Sequence, residues 1–308
     1  MAKQIQFYDL KKNCLETEQI FGDRFIDLSL NQFLVRYLTS TNWSQQTISK
    51  FIGWYYKSFL SKKLVNSFIQ EYKIKMDNYI IPEDGFKSFN DFFIRKIQEE
   101  LLPKVEDSNK LHSPVSARLN IIEFQDNKIQ FTIKEQTLAL NQFIGKISES
   151  MPANSFNEGY LLLFRLCPVD YHRYHFPFQG KLKTRLRIPG QLFSVNPKIF
   201  HSIDHVFFKN ERCISLLEHN SGFPIIMSEI GAIGVGGMIH HPLKADSSFN
   251  FMQEKGYFEF GGSAVALILD KSNFKPNPKI LEYSKQGLES LVECGDIIGD
   301  LSNNSFQT

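Results

Sequence analysis

Phe258-Glu-Phe-Gly-Gly-Ser263-Ala-Val-Ala-Leu-Ile-Leu269 is the stretch on which the reading of this chain turns. An unbroken apolar run after Gly-Gly-Ser is too short for an ordinary helix and reads as a turn feeding a buried strand. Similar runs recur on the same side of Pro103, at Ile129-Gln-Phe-Thr-Ile133 and Tyr160-Leu-Leu-Leu-Phe164, with Gly, Pro, Asn and Asp turns between them. Ahead of Pro103 the period changes. From Ile48 through Phe51, Ile52, Tyr55 and Phe59 to Phe68 and Ile69, apolar residues follow helical spacing. Ser44 is the expected N-cap, with the helix starting at Gln45 or Gln46. Ser88-Phe-Asn-Asp91 reads as a capping box opening a second helix over Phe92-Phe-Ile-Arg-Lys-Ile97. Helices followed by many strands predict an α+β fold. A helical N-terminal lobe over 1–100 precedes a β-rich body over 101–308, with no repeat or linker dividing them.

Composition narrows the function. Hydrophobic residues make up 42% and charged residues 22% of the 308, which are globular values and exclude wholesale disorder. A net charge of +2 gives no electrostatic case for nucleic acid. The four cysteines are far apart and form no Cys-x-x-Cys pair, which argues against a zinc site or disulfide framework and fits a reducing compartment. The N-terminus carries no apolar signal-peptide core, and no apolar run reaches the roughly 18 residues of a spanning helix. Membrane contact is therefore expected to be peripheral. Lys50, Lys57, Lys62 and Lys63 accompany the helical stripe at 48–69. Such a helix either packs on the protein's own core or lies on an anionic bilayer.

The densest polar cluster is Arg165-Leu-Cys-Pro-Val-Asp170-Tyr-His172-Arg-Tyr-His175-Phe-Pro177. In extended backbone His172 and Asp170 share a face, as do Arg173 and His175. A carboxylate beside an imidazole orients the ring and raises its basicity, giving a general base; the other reading is a solvated loop or a satisfied polar core. His-x-x-His also suggests a metal, but no third ligand at suitable spacing accompanies it. Gly231 to Gly237 lacks the spacing of a dinucleotide loop, and His240-His241 reads as a catalytic pair or, the stronger reading, a polar loop. Ser263 itself, after a flexible Gly-Gly pair, is able to attack the carbonyl of Gly262.

Taken together these segments resemble the phosphatidylserine decarboxylases. Asp170-Tyr-His-Arg-Tyr-His175-Phe-Pro177 is similar to the family's signature, and Phe89-Asn-Asp-Phe-Phe-Ile-Arg95 to its N-terminal motif. Ser113-Pro-Val stands where a Ser-Pro-x-Asp-Gly motif belongs. Pro189 to Asn196, Asn210-Glu-Arg212, Gly231 to Gly236 and Gly287 to Gly295 follow in the family's order, with Gly261-Gly-Ser263 at its self-cleavage site. The resemblance covers roughly 86–300.

The resemblance implies a proenzyme. Ser263 attacks the Gly262 carbonyl, with His175 as the expected base, and cleavage at 262/263 leaves a pyruvoyl group at residue 263. That group then decarboxylates phosphatidylserine to phosphatidylethanolamine, with His172 returning the proton. It also implies a phospholipid substrate, peripheral placement on the cytoplasmic side of a membrane and a homodimer. Two positions depart from the family. Ser116 replaces the Asp that completes an Asp–His–Ser relay, and Ala264 replaces a Thr. Either Asp170 substitutes as the orienting carboxylate, or the chain is a non-maturing relative that binds phospholipid.

Overall fold

The computed structural model describes residues 5–18, 42–131, 136–151, 155–193, 195, 206–232, 237–261 and 263–302. The front of the chain holds β1 (Gln6–Asp9), β2 (Cys14–Thr17), α1 (Asn42–Lys57), α2 (Lys63–Tyr72), β3 (Tyr79–Ile80), α3 (Phe89–Phe93) and β4 (Lys96–Ile97). The body continues through β5 (Lys110–His112), β6 (Ala117–Gln125), β7 (Lys128–Phe131), β8 (Gln136–Ala139), α4 (Leu140–Ile144), β9 (Gly159–Leu166), β10 (Arg173–His175) and β11 (Gly180–Ile188). It ends with α5 (Val206–Lys209), β12 (Arg212–His219), β13 (Pro224–Gly231), β14 (Met238–His240), β15 (Ser247–Phe249), β16 (Glu254–Phe258), β17 (Ser263–Asp270), β18 (Phe274–Pro276), α6 (Pro278–Lys285), β19 (Glu289–Val292) and β20 (Ile297–Leu301). The α+β class expected from the sequence is what forms.

One large sheet runs β15-β11-β12-β13-β17-β9-β6-β19-β1-β2, with β7 and β8 branching from β6. The Asp126-Asn127 turn between β6 and β7 has both residues at positive φ, as a two-residue hairpin requires. β17 lies inside the sheet, antiparallel to both β13 and β9. Its apolar run is continuous because both faces are covered. Val265, Leu267 and Leu269 enter one core with Phe164, Tyr174, Met227 and Phe258. Ala264, Ala266 and Ile268 enter the other with Phe143, Ile144 and Val206. The first core is roofed by the small sheets β10-β16-β14 and β18-β20-β5.

The front differs from a purely helical reading in three places. β1 and β2 join the large sheet, β1 pairing parallel with β19, and Tyr8 stacks on Tyr283 at 3.9 Å. The strands are too short for their periodicity to register in sequence. The stripe at 48–69 is not one helix: α1 starts earlier, at Asn42, and stops at Lys57, and a 3₁₀ turn at Phe59–Lys62 separates it from α2. Ser58 and Ser61 turn their hydroxyls onto the carbonyls of Tyr55 and Tyr56, local bonds that compete with a continuing helix. Thirdly, Ser88 caps α3 by accepting the Asp91 N–H, as expected, but the helix ends at Phe93 and Lys96-Ile97 pairs with β3.

Candidate active site

Ser263 is the first residue of β17 and is fully buried, opposite Gly231 on β13 and Leu166 on β9. Gly261, two residues ahead of it, has φ +146°, a conformation that residues with a side chain rarely adopt. Gly262 lies outside the described residues. The Ser263 hydroxyl faces His172 Nδ1 at 3.4 Å, a long hydrogen bond. The other ring nitrogen, Nε2, is 3.0 Å from the Cys167 carbonyl. A carbonyl only accepts, so Nε2 carries the hydrogen, and the lone pair of Nδ1 points at the serine. Burial, reinforced by the nearby positive charge of Arg95, pushes the His172 pKa down to about 3. The imidazole is therefore neutral, with the Nδ1 lone pair free.

Each neighbour of this pair has a traceable job. The Asp170 carboxylate accepts from the Cys167 N–H at 2.7 Å and pairs with Arg118 at 2.6 Å, closing the 167–170 turn. That turn aims the Cys167 carbonyl at His172. Burial raises the Asp170 pKa, and the Arg118 guanidinium opposes that rise. Arg95 donates to the Val169 and Asp170 carbonyls from between the rings of Tyr79 and Phe92. Phe93 stacks on the His172 ring at 3.8 Å. Asn90 Oδ1 accepts from the Phe260 N–H at 2.8 Å, fixing the segment that runs into Gly261. Phe260 packs against Tyr56, Phe89 and Phe93. On the other flank, buried Asn210 donates to the Gly231 carbonyl and bonds Phe193 in both directions. Gly190 must be glycine there, because a Cβ would stand 2.5 Å from the Lys209 carbonyl oxygen and the Glu211 nitrogen.

A family model described as phosphatidylserine decarboxylase matches residues 89–291. The phosphatidylserine decarboxylase proenzyme of Clostridium botulinum is 33% identical over 297 residues, spanning 96% of this chain and 99% of that protein. The proenzyme of Clostridium kluyveri is 33% identical over 302 residues, spanning 96% and 98%. That of Clostridium perfringens is 33% identical over 296 residues, spanning 96% and 99%. The chain belongs to the phosphatidylserine decarboxylase family.

Within this decarboxylase-family chain several of the sequence motifs meet around Ser263, and the contacts of individual residues differ from the expected pairings. His175, expected as the base on Ser263, is engaged elsewhere: its Nδ1 is 2.8 Å from the Met252 carbonyl and its Nε2 3.1 Å from the Tyr171 hydroxyl. His172, expected to return the proton in the later reaction, is the ring that faces Ser263. Asp170 does not bond His172 directly, because 167–170 is a turn rather than extended strand and the carboxylate folds back onto Cys167. Ser116 Oγ accepts from the Cys294 N–H, and it forms no bond with His172. The exchange of Asp for Ser at 116 therefore leaves the Ser263–His172 contact in place. His240 and His241 are not a free loop: His240 ends β14 and bonds Glu229, and His241 bonds Glu254. The residues that sequence reading left without a role are Asn90, Phe93, Arg95 and Asn210. Their signal was present in the quoted motifs, but no periodicity or spacing announces a side chain that serves a main-chain group far away in sequence.

Proposed function

We propose that this chain is a proenzyme that severs its own Gly262–Ser263 bond and then converts phosphatidylserine to phosphatidylethanolamine and carbon dioxide. The observation that carries this reading is the Ser263 hydroxyl facing the unprotonated Nδ1 of His172. His172 takes the hydroxyl proton as Oγ bonds to the Gly262 carbonyl carbon, and that proton then goes to the departing amide nitrogen. The ester so formed loses the Ser263 α-proton and expels Gly262 as a carboxylate. Water converts the unsaturated residue left at 263 to a ketone, releasing ammonia. The donor set suits this group: a hydroxyl residue heads a buried strand, a base is within reach, and Gly261, two residues ahead, takes a conformation that favours glycine. When formed, the pyruvoyl group supplies an electrophile for the substrate amine and a sink for the electron pair left by carbon dioxide. His172 Nδ1, unprotonated at rest, takes the proton that the substrate ammonium sheds and passes it to the product carbon. The alternative of a non-maturing relative rested on positions 116 and 264; Ser116 bonds Cys294 and Ala264 packs in the core, and neither takes part in the Ser263–His172 contact.

The front of the chain supports delivery of the lipid from a bilayer surface. No described helix is long and apolar enough to cross a membrane. α1 and the 3₁₀ turn after it instead expose Phe51 at 68%, Trp54 at 63% and Phe59 at 77%, with Lys50, Lys62 and Lys63 also exposed. The opposite face of α1 sets Tyr56 on Phe260, 3.8 Å between ring centroids. An aromatic face flanked by lysines suits the surface of an anionic bilayer, and here it backs directly onto the segment ahead of Ser263. Trp54→Ala and Lys62→Glu are expected to weaken co-sedimentation with anionic vesicles several-fold while fragment formation continues.

Maturation is tested on a denaturing gel with intact-mass analysis. The expected result is a 1–262 fragment and a 263–308 fragment whose N-terminus resists sequential degradation. Recovery of one uncut 35.7-kDa chain overturns the reading.

A further inference from the structure

A serine phospholipid carries a phosphodiester anion beside its amine and carboxylate, and neither Ser263 nor His172 meets that charge. Most cations near the cleavage segment are already committed. Arg95 is buried and clamps main-chain carbonyls. Arg173 bonds the Ile94 carbonyl and Glu254. Lys255 is buried against Glu229, beside Cys213 and His240; those three residues bring ligand-type atoms within 4.8 Å of one another, but the ammonium already balances the carboxylate. Lys57 differs from these. It is half-exposed at the end of α1, and its ammonium rests 2.7 Å from Glu259, whose carboxylate is mostly buried.

We infer that Lys57 is the contact for the substrate's phosphodiester, held ready by Glu259 in the segment that runs into Ser263. The inference rests on the phospholipid reading above. Three observations support it. Glu259 belongs to the segment that leads into the cleavage site, and its N–H is fixed to the Gly237 carbonyl at 3.0 Å. Tyr56, the residue before Lys57, packs on Phe260, so the end of α1 is registered against that same segment. Phe51 and Trp54 project from the same helix, so a bilayer that receives those rings brings its phosphate layer to the level of the lysine. An ammonium serves a phosphate as a mobile point charge with three donors, and it passes from a carboxylate to a phosphodiester without the planar match that a guanidinium demands.

The test titrates the purified full-length gene product, as it matures, with sn-glycero-3-phosphoethanolamine and with ethanolamine, which lacks the phosphodiester. KM and kcat on phosphatidylserine dispersed in phosphatidylcholine vesicles are measured in parallel. Lys57→Gln is expected to weaken glycerophosphoethanolamine binding about tenfold, the loss of one charge-assisted contact, and to leave ethanolamine binding unchanged. KM rises by a similar factor with kcat within about twofold, and Lys57→Arg recovers most of the affinity. Unchanged glycerophosphoethanolamine affinity in Lys57→Gln overturns the inference, as does an equal loss for ethanolamine. Phosphodiester binding that depends on Lys57 in a protein releasing no carbon dioxide keeps the contact and removes the decarboxylase reading. Carbon dioxide release with KM and affinity indifferent to Lys57 does the reverse.

Discussion

At the scale of single residues, His172 is neutral because its surroundings disfavour the charged ring. An exposed imidazole titrates near 6.5, but burial and the charge of Arg95 take His172 to about 3. Fragment formation should therefore be flat from about pH 5 to 8, without the inflection of an ordinary histidine. A time course of the 263–308 fragment at several pH values reads this directly, and a half-maximal point near 6.5 would contradict it. His172→Gln should slow cleavage by about 10²- to 10⁴-fold, the usual contribution of a positioned base. His175→Gln, whose parent ring bonds only Met252 and Tyr171 among the contacts seen, should stay within about tenfold of wild type. The two histidines could not be assigned from sequence for a physical reason. Period-two reasoning presumes extended backbone, and Asp170 bends its own turn by accepting the Cys167 N–H. The cluster was legible, and the pairing inside it was not.

At the scale of elements, α3 is five residues long and yet governs the approach to Ser263. Its N-terminus is fixed by the Ser88 cap, and the Phe89 N–H donates to Ser61 Oγ from the break between α1 and α2. From there Asn90 reaches Phe260 and Phe93 covers His172. Asn90→Ala strands the buried Phe260 N–H, a loss of about 1 to 3 kcal/mol. The expected outcome is a lower denaturation midpoint together with cleavage slowed more than the global loss explains, because the released segment carries the attacked carbonyl. Asn90→Asp keeps an acceptor in place and should restore much of the rate. Cleavage as fast as wild type in Asn90→Ala would show that Phe260 needs no tether. The capping box at Ser88 was readable because its partners lie within four residues. The short β1 and the stop at Lys57 were not, because a partner strand at β19 and the hydroxyls of Ser58 and Ser61 decide them.

At the scale of the molecule, the placement of β17 determines what cleavage can and cannot separate. The cut falls at the entrance of a strand paired on both sides, Ile226 to Gly231 along one edge and Gly159 to Leu166 along the other. Val265, Leu267, Ile268 and Leu269 are fully buried, and at about 1.5 to 3 kcal/mol each their exposure alone would cost on the order of 10 kcal/mol. β19 adds pairing with β6 and with β1, and β20 with β5, all on the other fragment. The apolar run at 264–269 disclosed a buried strand, but a run of six residues carries no information about its neighbours in the sheet. With those neighbours known, residues 263–308 should remain bound after the bond is broken. The two fragments should elute as one species in native size-exclusion chromatography and part only where denaturant unfolds the sheet. Val265→Asp, placing a carboxylate in the core beside Met227 and Phe164, should release the short fragment or prevent folding before the cut. Spontaneous separation of the wild-type fragments in native buffer would mean that β17 is not held between β13 and β9, and Ser263 would then lose the strand that presents it to His172.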